Sequence, residues 1–345
     1  MKVVLFLGAG FSAAFGLPVM NEFLSFANAS PRLTPEQKKF LDALTLEARG
    51  ANSFLQSRPT NLEDILSFAL MKERLTPAQG SPESPGELMK MILHRIYTQI
   101  PLGSKYWSGY EVFKKFLNLD LQQSPHSLCF VTTNYDLNIE CALSQMFVFA
   151  NPGFNFAAGR AQRSGNFYTP KGIPVFKLHG SVNWFERAGE PDTVDVEEGM
   201  TSIRWMVGNT AETGPIPVVC SQNYVVPGSP VIVAPSFLKP NLRGPMGQVW
   251  TGARKVLGEA DMLVFVGYSF PQSDTEMKYF LATALVDNPR LSRIVIVDPE
   301  ADAIARRLRD ENSKYGSHFR ELLFESKFGW TDGVISHDTR SVVKM

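Results

Sequence analysis

Residues 3–12 read VVLFLGAGFS and combine a short apolar run with a glycine turn. The five apolar residues suit a strand that is buried on both faces of a parallel sheet. Gly8 and Gly10 let the backbone turn tightly and approach a ligand without a Cβ in the way. Ala13 completes a Gly-x-Gly-x-x-Ala spacing, in which the third small residue lets the following helix pack close to the strand, with its N-terminus facing a phosphate. The stretch therefore predicts a strand, turn and helix that hold a nucleotide.

The charge of the chain is balanced. Its 345 residues include 34 Lys and Arg and 34 Asp and Glu, and 44% of all residues are apolar. With a pI near 7.0, no net field attracts nucleic acid or an anionic membrane surface, so we expect binding to neither. A chain of this length and apolar content can bury a substantial core, as one large α/β domain with an insertion or as two domains.

The cysteines indicate a reducing compartment. Cys129, Cys141 and Cys220 are too few and too scattered for a four-cysteine zinc site, and their odd number argues against a disulfide framework. We therefore expect no bound metal and a cytoplasmic protein. The apolar stretch 3–20 resembles a secretory signal, but its three glycines and its proline would break a signal helix. No other stretch approaches the roughly 18 to 20 apolar residues that a membrane span needs.

Strands and helices alternate along the chain. After the first strand, apolar runs predict further strands at 127–132, 175–178, 231–234, 262–266 and 293–297. This alternation predicts an α/β fold with a doubly wound, parallel, Rossmann-like sheet, whose ligand lies outside the carboxyl ends of the strands.

Two segments interrupt the alternation. Residues 31–119 are helical in character without a convincing strand, which predicts a helical insertion after the first strand. Residues 186–228 are rich in Gly, Pro, Glu and Thr and are interpreted as a surface excursion. We expect residues 1–330 to form one nucleotide-binding domain that contains both segments, and residues 331–345 to form a C-terminal tail.

Polar motifs follow the predicted strands one after another. In dehydrogenases of this fold, an acidic residue about 20 positions after the glycines holds the adenosine ribose. Here that position falls inside the helical insertion, and the nearest substitute is Asp298, after the last predicted strand. This mismatch argues against a simple hydride-transfer enzyme.

The ordered motifs resemble those of the sirtuins, the NAD-consuming deacylases. The matching residues are GAGFS at 8–12, GLP at 16–18, TNYD at 133–136, HG at 179–180 and GYS at 267–269. TNYD, KLHGSVNW at 177–184, and GYSF followed by Asp274 are more closely similar to divergent sirtuin-like domains of prokaryotic antiphage defence. The resemblance implies a helical insertion after the first strand and cleavage of NAD rather than protein deacylation.

Two departures from the deacylases concern the second substrate. Residues 19–21 are Val-Met-Asn, where deacylases have an acidic residue, Phe and Arg, and the four-cysteine zinc module is absent. In the deacylases that module helps to frame the cleft for an acyl-lysine peptide. Its loss leaves the NAD pocket intact and makes water the natural acceptor.

The resemblance also implies roles for single residues. Asn134 would hold the ribose or a water, and Asp136 would hold the nicotinamide amide. His179 would engage the ribose hydroxyls or act as a general base, which its near-neutral ordinary pKa permits. The remaining NAD-binding candidates are Gly8, Ala9, Gly10, Ser12, Gly267 and Ser269 around the phosphates, Phe11 and Phe270 as pocket walls, and Asp298 at the adenosine ribose.

Each of these residues also has a structural interpretation. Asn134 and Asp136 suit a helix N-cap, Asp298-Pro299 suits a helix start, and any one Phe among 25 is more often a core residue. The charged run 306–309 is interpreted as a solvated helix face. For the whole protein, a zinc-free deacylase and a non-catalytic sensor of NAD or ADP-ribose remain as alternatives.

Control of the activity is expected to come from outside the catalytic fold. A constitutive NAD hydrolase would starve its own cell, and the chain has little room for a separate sensor domain. The chain resembles the short, stand-alone sirtuin-like defence proteins, similar to those that are paired with a HerA-type hexameric ATPase. Many of these proteins form homo-oligomers. The resemblance therefore implies assembly or a HerA-type partner.

Overall fold

The computed structural model describes most of the predicted domain. The described residues are 1–55, 61–75, 84–98, 111, 113, 117, 128–146, 148–154, 157–158, 172–187, 190–196, 203–204, 216–217, 228–233, 244–271, 274–286, 288–312 and 323–327. The predicted tail 331–345 and much of the excursion 186–228 lie outside them.

The described elements alternate as the sequence predicts. The strands are β1 Val3–Leu7, β2 Leu128–Thr132, β3 Ala150–Asn151, β4 Ala157–Ala158, β5 Ile173–Lys177, β6 Gly180–Arg187, β7 Glu190–Val196, β8 Ile203–Arg204, β9 Ile216–Pro217, β10 Pro230–Ile232, β11 Met262–Val266, β12 Arg293–Val297 and β13 Leu323–Lys327. The helices are α1 Ala9–Ala13, α2 Phe23–Ala29, α3 Pro35–Leu55, α4 Leu62–Leu75, α5 Pro85–Tyr97, α6 Asn138–Gln145, α7 Gly244–Gly258, α8 Thr275–Leu285 and α9 Ala301–Asn312. Among the described residues, every helix is too short or too polar to span a bilayer.

The central sheet confirms the predicted doubly wound, Rossmann-like fold. Its strand order is β13-β12-β11-β1-β2-β5-β3, and all neighbouring strands run parallel. Strands β1, β2 and β11 are buried along their whole length, which explains their continuous apolar sequences. The chain builds β2 and β5 on one side of β1 and then β11, β12 and β13 on the other. The crevice beside β1 is therefore the topological switch point, where ligands bind in such sheets.

A second sheet lies outside this arrangement. Its order is β10-β6-β7-β4, and β10 pairs antiparallel with β6. The predicted strand 231–234 therefore belongs to the second sheet, and β6 and β7 were not predicted. Residues 181–185 of β6 read SVNWF and are all buried, and their alternation of polar and apolar residues is at the short end of what identifies a strand.

The first helix is shorter than its sequence predicts. The sequence suggests one helix from the glycine turn to Phe26, but α1 ends at Ala13 and α2 begins at Phe23. Gly16 has a φ of 91° in the gap, and Pro18 follows it. Both residues oppose a continuous α-helix, because one adopts a left-handed conformation and the other lacks an N–H donor.

The described part of the insertion 31–119 is helical, as predicted. Residues Asn61 and Asp64 bond reciprocally, with Asp64 N donating to Asn61 Oδ1 over 3.1 Å and Asn61 N donating to Asp64 Oδ2 over 3.0 Å. This capping box starts α4 and stabilises it by about 1 kcal/mol. Apolar residues of α3, α4 and α5 share one core cluster with Tyr135, Val182 and Ile232. The insertion is thus packed against the second sheet and the loop after β2.

Candidate functional site

The turns that follow β1 and β11 are interlocked, backbone against backbone. The N–H groups of Gly8 and Gly10 donate to the carbonyl oxygens of Val266 and Gly267, both over 2.9 Å. Gly267 has a φ of 59°, and a Cβ on it would lie 2.2 Å from Phe11 N. A Cβ on Gly8 would lie 2.5 Å from Gly267 O. Both positions therefore require glycine for the contact between the turns.

This pairing bears on the predicted phosphate contacts. The N–H groups of Gly8 and Gly10 are directed at carbonyls of the neighbouring turn, and Phe11 N donates to Gly8 O over 3.0 Å. A backbone donor that serves an internal hydrogen bond is not available to a ligand. Phosphate binding by Gly8, Ala9 and Gly10 stays a prediction, and these internal bonds argue against it for the N–H groups of Gly8 and Gly10.

Asn134, Ser12 and Asp136 form one hydrogen-bonded chain at the carboxyl edge of the sheet. Asn134 Nδ2 donates to Gly8 O over 2.7 Å and to Ser12 Oγ over 2.9 Å. Ser12 Oγ in turn donates to Asp136 Oδ2 over 2.5 Å. The structure thus brings three predicted site residues together, although the turn after β1 and the loop after β2 are far apart in sequence.

These bonds set the orientation of the Asn134 carboxamide. Both amide hydrogens are used, and a flipped side chain would place its oxygen against Gly8 O. Asn134 is only half-buried, so its Oδ1 is the atom that can accept a hydrogen bond from a ligand hydroxyl or a water. The Ser12 hydroxyl donates its one proton to Asp136, so Ser12 positions Asn134 and Asp136. Its phosphate contact stays a prediction.

Asp136 is held from three sides and is only 5% exposed. Its Oδ1 accepts from Asn138 N over 3.1 Å, in the turn that leads into α6, but the N-cap residue of α6 is Leu137, so neither Asn134 nor Asp136 is the predicted N-cap. Below it, Lys177 Nζ contacts the carbonyl oxygens of Asp136 and Tyr135. These bonds orient the Asp136 carboxylate and the loop after β2, and ligand binding by Asp136 stays a prediction.

Lys177 was not predicted as a site residue. Its side chain is 1% exposed, and its Nζ forms an ion pair with Glu140 Oε1 at 3.0 Å. A buried ammonium is tolerated because one carboxylate and two carbonyls surround it. The charged residue inside the apolar run of β5 was the available signal, since lysine is almost never fully buried unless it is paired.

His179 follows β5 and lies beside the loop that carries Asn134. It is 3% exposed, and its ring centroid is 6.2 Å from that of Tyr135. The His179 carbonyl accepts from Val233 N over 2.8 Å, and the Tyr135 hydroxyl donates to Val233 O over 3.1 Å. Val233, which directly follows β10, thus holds the Tyr135 ring and the His179 backbone.

Two acidic side chains, one buried and one half-buried, lie near the same loops. Burial raises the pKa of Tyr135 and of Tyr268 well above the ordinary value, and the carboxylates of nearby residues raise both further. These carboxylates belong to Glu63, at the start of α4, and Asp274, whose Oδ2 accepts from the Tyr268 hydroxyl over 3.4 Å. Glu63 comes from the insertion, and it was not predicted as a site residue. Together the acids favour a cation at this end of the site.

The segment after β11 is strained and externally held. Phe270 has a φ of 52°, which costs a non-glycine residue about 1 to 2 kcal/mol. Arg307 Nη2 donates to Ser269 O over 2.6 Å and to Phe270 O over 3.2 Å. The run 306–309, interpreted as a solvated helix face, therefore includes a residue that bonds the predicted binding segment.

The other two candidates for NAD binding, Asp298 and Phe11, differ in how deeply they are buried. Asp298 follows β12 and is half-buried, and its Oδ1 accepts from Glu300 N over 2.9 Å. It performs the predicted helix-start role one strand away from Gly267. Phe11 is 2% exposed and packs against Phe15 and Phe113. Packing alone explains its position, and its role as a pocket wall stays a prediction.

The described residues contain no cluster of side chains that suits a metal ion. Among them, no group of three or more His, Cys, Asp or Glu side chains could hold a metal ion. The described cysteines, Cys129 and Cys141, are buried free thiols, and burial raises the pKa of Cys129 to about 11. They are therefore protonated and unreactive at neutral pH.

Comparison with known proteins finds similarity in solved structures alone. No protein-family model and no curated protein matches the chain. A mutant of a Sir2 homologue in complex with ADP-ribose aligns over 92% of this chain and 95% of its own, with 14% identity and a TM-score of 0.35. A Sir2 mutant with a p53 peptide and NAD aligns over 91% of this chain and 94% of its own, with 13% identity and a TM-score of 0.30. The function proposed below rests on the contacts of the site and on the sequence motifs.

Proposed function

We propose that this protein binds NAD at the switch point and cleaves the bond between nicotinamide and ribose. The observation that carries the proposal is the oriented carboxamide of Asn134, held by Gly8 O and Ser12 Oγ at the carboxyl edge of the parallel sheet. Of its partners in the resemblance, Asp136 lies on the same loop, and His179 follows β5 with its ring beside that of Tyr135. A preorganised polar group costs no reorganisation at the moment of reaction, and such groups carry much of enzymatic rate enhancement.

The reaction is a hydrolysis of an N-glycosidic bond. The C–N bond breaks, and its electron pair leaves with the pyridinium nitrogen, so that neutral nicotinamide departs and positive charge develops on the ribose. The oxygen of a water then bonds to the anomeric carbon and loses a proton, which gives ADP-ribose. Positive charge on the ribose is favoured by the nearby carboxylates of Glu63 and Asp274.

Each site residue has a role in this scheme. Asn134 Oδ1 would accept a hydrogen bond from the attacking water or a ribose hydroxyl and orient it. His179 would bind the ribose hydroxyls or accept the proton of the water. Asp136 would bind the nicotinamide amide, and Ser12 would hold Asn134 and Asp136 in register. The adenosine ribose would lie near Asp298.

One experiment separates the three candidate functions. Purified protein is incubated with NAD, and nicotinamide release is followed with and without an acetylated peptide. The hydrolase releases nicotinamide and ADP-ribose at the same rate in both. Nicotinamide release that requires the peptide would establish a deacylase. NAD binding without turnover, even with a HerA-type ATPase present, would establish a sensor.

The biological role is part of the proposal and rests on the resemblance. The protein would act in the cytoplasm as an NAD-depleting effector of antiphage defence. Its activity would be held back until homo-oligomers form or a HerA-type ATPase binds, since unregulated hydrolysis would exhaust the NAD of its own cell. Light scattering of the protein alone and with the neighbouring gene product tests this, and a fully active monomer contradicts it.

A further inference from the structure

Arg307 links helix α9 to the segment that follows β11. Its Nη2 atom donates to two successive carbonyl oxygens, those of Ser269 and Phe270, over 2.6 and 3.2 Å. The side chain is half-buried, whereas its neighbour Arg306 is exposed. Two bonds from one guanidinium to adjacent carbonyls hold a backbone in one direction, because a peptide flip at either residue breaks a bond.

The bonded segment needs such support. At its start, Gly267 is in a left-handed conformation and interlocks with Gly10. At its end, Phe270 is left-handed although it carries a side chain, and such conformations persist only where the surroundings over-determine them. The Phe270 ring packs on Phe265 and Tyr268, with centroids 4.6 and 4.9 Å apart. Packing and the Arg307 bonds together keep Phe270 in this conformation.

The same segment borders the switch-point crevice. It follows β11, whose neighbour β1 leads directly into the turn of Gly8 and Gly10. A peptide flip at Ser269 would therefore change the wall of the crevice on the side where the dinucleotide of the proposed function lies. No catalytic candidate is on this segment, since Asn134 and His179 follow β2 and β5.

We propose that Arg307 is a positioning residue for the dinucleotide, which holds residues 267–270 in the conformation that binds it. This inference rests on the proposed function, because it takes NAD and ADP-ribose as the ligands. Loss of the two bonds lowers the fraction of molecules in the competent conformation, and the apparent affinity falls by that fraction. Arg307 therefore acts on binding and leaves the chemical step unchanged.

The test is a titration of ADP-ribose, which binds without turnover, into the full chain by calorimetry. The variants are Arg307→Gln, Arg307→Lys and the matched control Arg306→Gln, which removes an exposed charge from the same helix. We expect Arg307→Gln to weaken binding about tenfold, as for a competent fraction near one tenth. Arg306→Gln should bind like the parent, and Arg307→Lys should be intermediate because an ammonium lacks the planar fork.

A kinetic readout separates positioning from general loss of structure. We expect Arg307→Gln to raise KM for NAD by the same factor and to keep kcat within about twofold at saturation. Equal binding by Arg307→Gln and the parent would overturn the inference, as would equal weakening by Arg306→Gln or full restoration by Arg307→Lys. If the parent binds neither ADP-ribose nor NAD, the proposed function fails and takes this inference with it.

Discussion

The side-chain amide of Asn134 donates to the hydroxyl oxygen of Ser12 over 2.9 Å, although 122 residues separate them in sequence. The bond joins the turn after β1 to the loop after β2. It is possible because β1 and β2 are parallel neighbours, with Leu7 opposite Thr132, so their carboxyl ends lie side by side. The candidate site is therefore a product of strand register.

We expect Asn134→Ala to abolish most NAD cleavage while the fold is retained. The substitution removes the Oδ1 acceptor, and loss of one preorganised polar group at a reacting centre lowers kcat by about 10²- to 10³-fold. Nicotinamide release measures the rate, and circular dichroism checks the fold. The control is Asn28→Ala, because Asn28 is an exposed asparagine of α2. Turnover of Asn134→Ala at the parent rate would refute the proposed site.

We expect alanine to have opposite effects on stability at two glycines, one in the interlocked turns and one in α3. Gly267→Ala places a Cβ 2.2 Å from Phe11 N at a φ of 59°, and we expect it to lower the free energy of unfolding by about 2 kcal/mol or more. A Cβ at the exposed Gly50 of α3 meets nothing within 4 Å, and Gly50→Ala should raise it by about 0.5 to 1 kcal/mol. Denaturant unfolding measures both. A Gly267→Ala variant as stable as Gly50→Ala would contradict the close contact.

The buried ion pair of Lys177 and Glu140 predicts that the stability losses of its two single substitutions do not add. Lys177→Met leaves the Glu140 carboxylate buried without its ammonium, and we expect a loss of about 3 to 5 kcal/mol of stability. Adding Glu140→Leu removes the orphaned charge and should recover part of the loss. Unfolding of both single variants and the double variant completes the cycle. If the double variant loses the sum of the two single losses, the residues are not coupled.

His94 predicts a dependence of stability on pH. Burial, reinforced by Arg95 and opposed by the Val182 backbone, lowers the pKa of His94 from 6.5 to about 4. Between these values the unfolded chain takes up a proton that the folded chain does not, so stability falls as pH drops from 6.5 to about 4. The loss approaches about 3 kcal/mol at full extent.

The variant His94→Leu isolates this contribution. It keeps an apolar side chain of similar size against Phe185, whose ring centroid lies 5.7 Å from that of His94. We expect its unfolding free energy to change less than that of the parent between pH 6.5 and pH 4, measured by urea denaturation. The same slope in both proteins would show that the acid sensitivity comes from other groups.

Much of the sheet could be predicted because its strands are buried on both faces. The runs at 3–7 and 262–266 are apolar throughout, and the run at 293–297 is apolar after its first residue. Each is followed by glycine or aspartate, and their bounds coincide with β1, β11 and β12. Strand β13 was not predicted. Its sequence LFESK mixes apolar and charged residues, and only its parallel pairing with β12 identifies it.

The site residues that sequence missed share a physical reason. Lys177, Glu63 and Arg307 are charged side chains whose roles depend on partners in other elements. Lys177 Nζ bonds Glu140 and the loop after β2, and Arg307 crosses from α9 to Ser269. The apolar neighbours of Lys177 were a local signal, but no local pattern distinguishes Glu63 or Arg307 from a solvated charge, because the distinction lies in burial and in contacts between distant segments.

The residues alone predict the parallel Rossmann-like sheet, the helical insertion and the polar motifs at the strand ends. They do so because apolar runs and glycine turns determine local structure. The three-dimensional arrangement was needed to show how the groups at that edge are used. The N–H groups of Gly8 and Gly10 serve the neighbouring turn, and the Ser12 hydroxyl serves Asp136. Hydrogen bonds of this kind join segments that strand order and register bring together, and neither order nor register can be deduced from the spacing of residues along the chain.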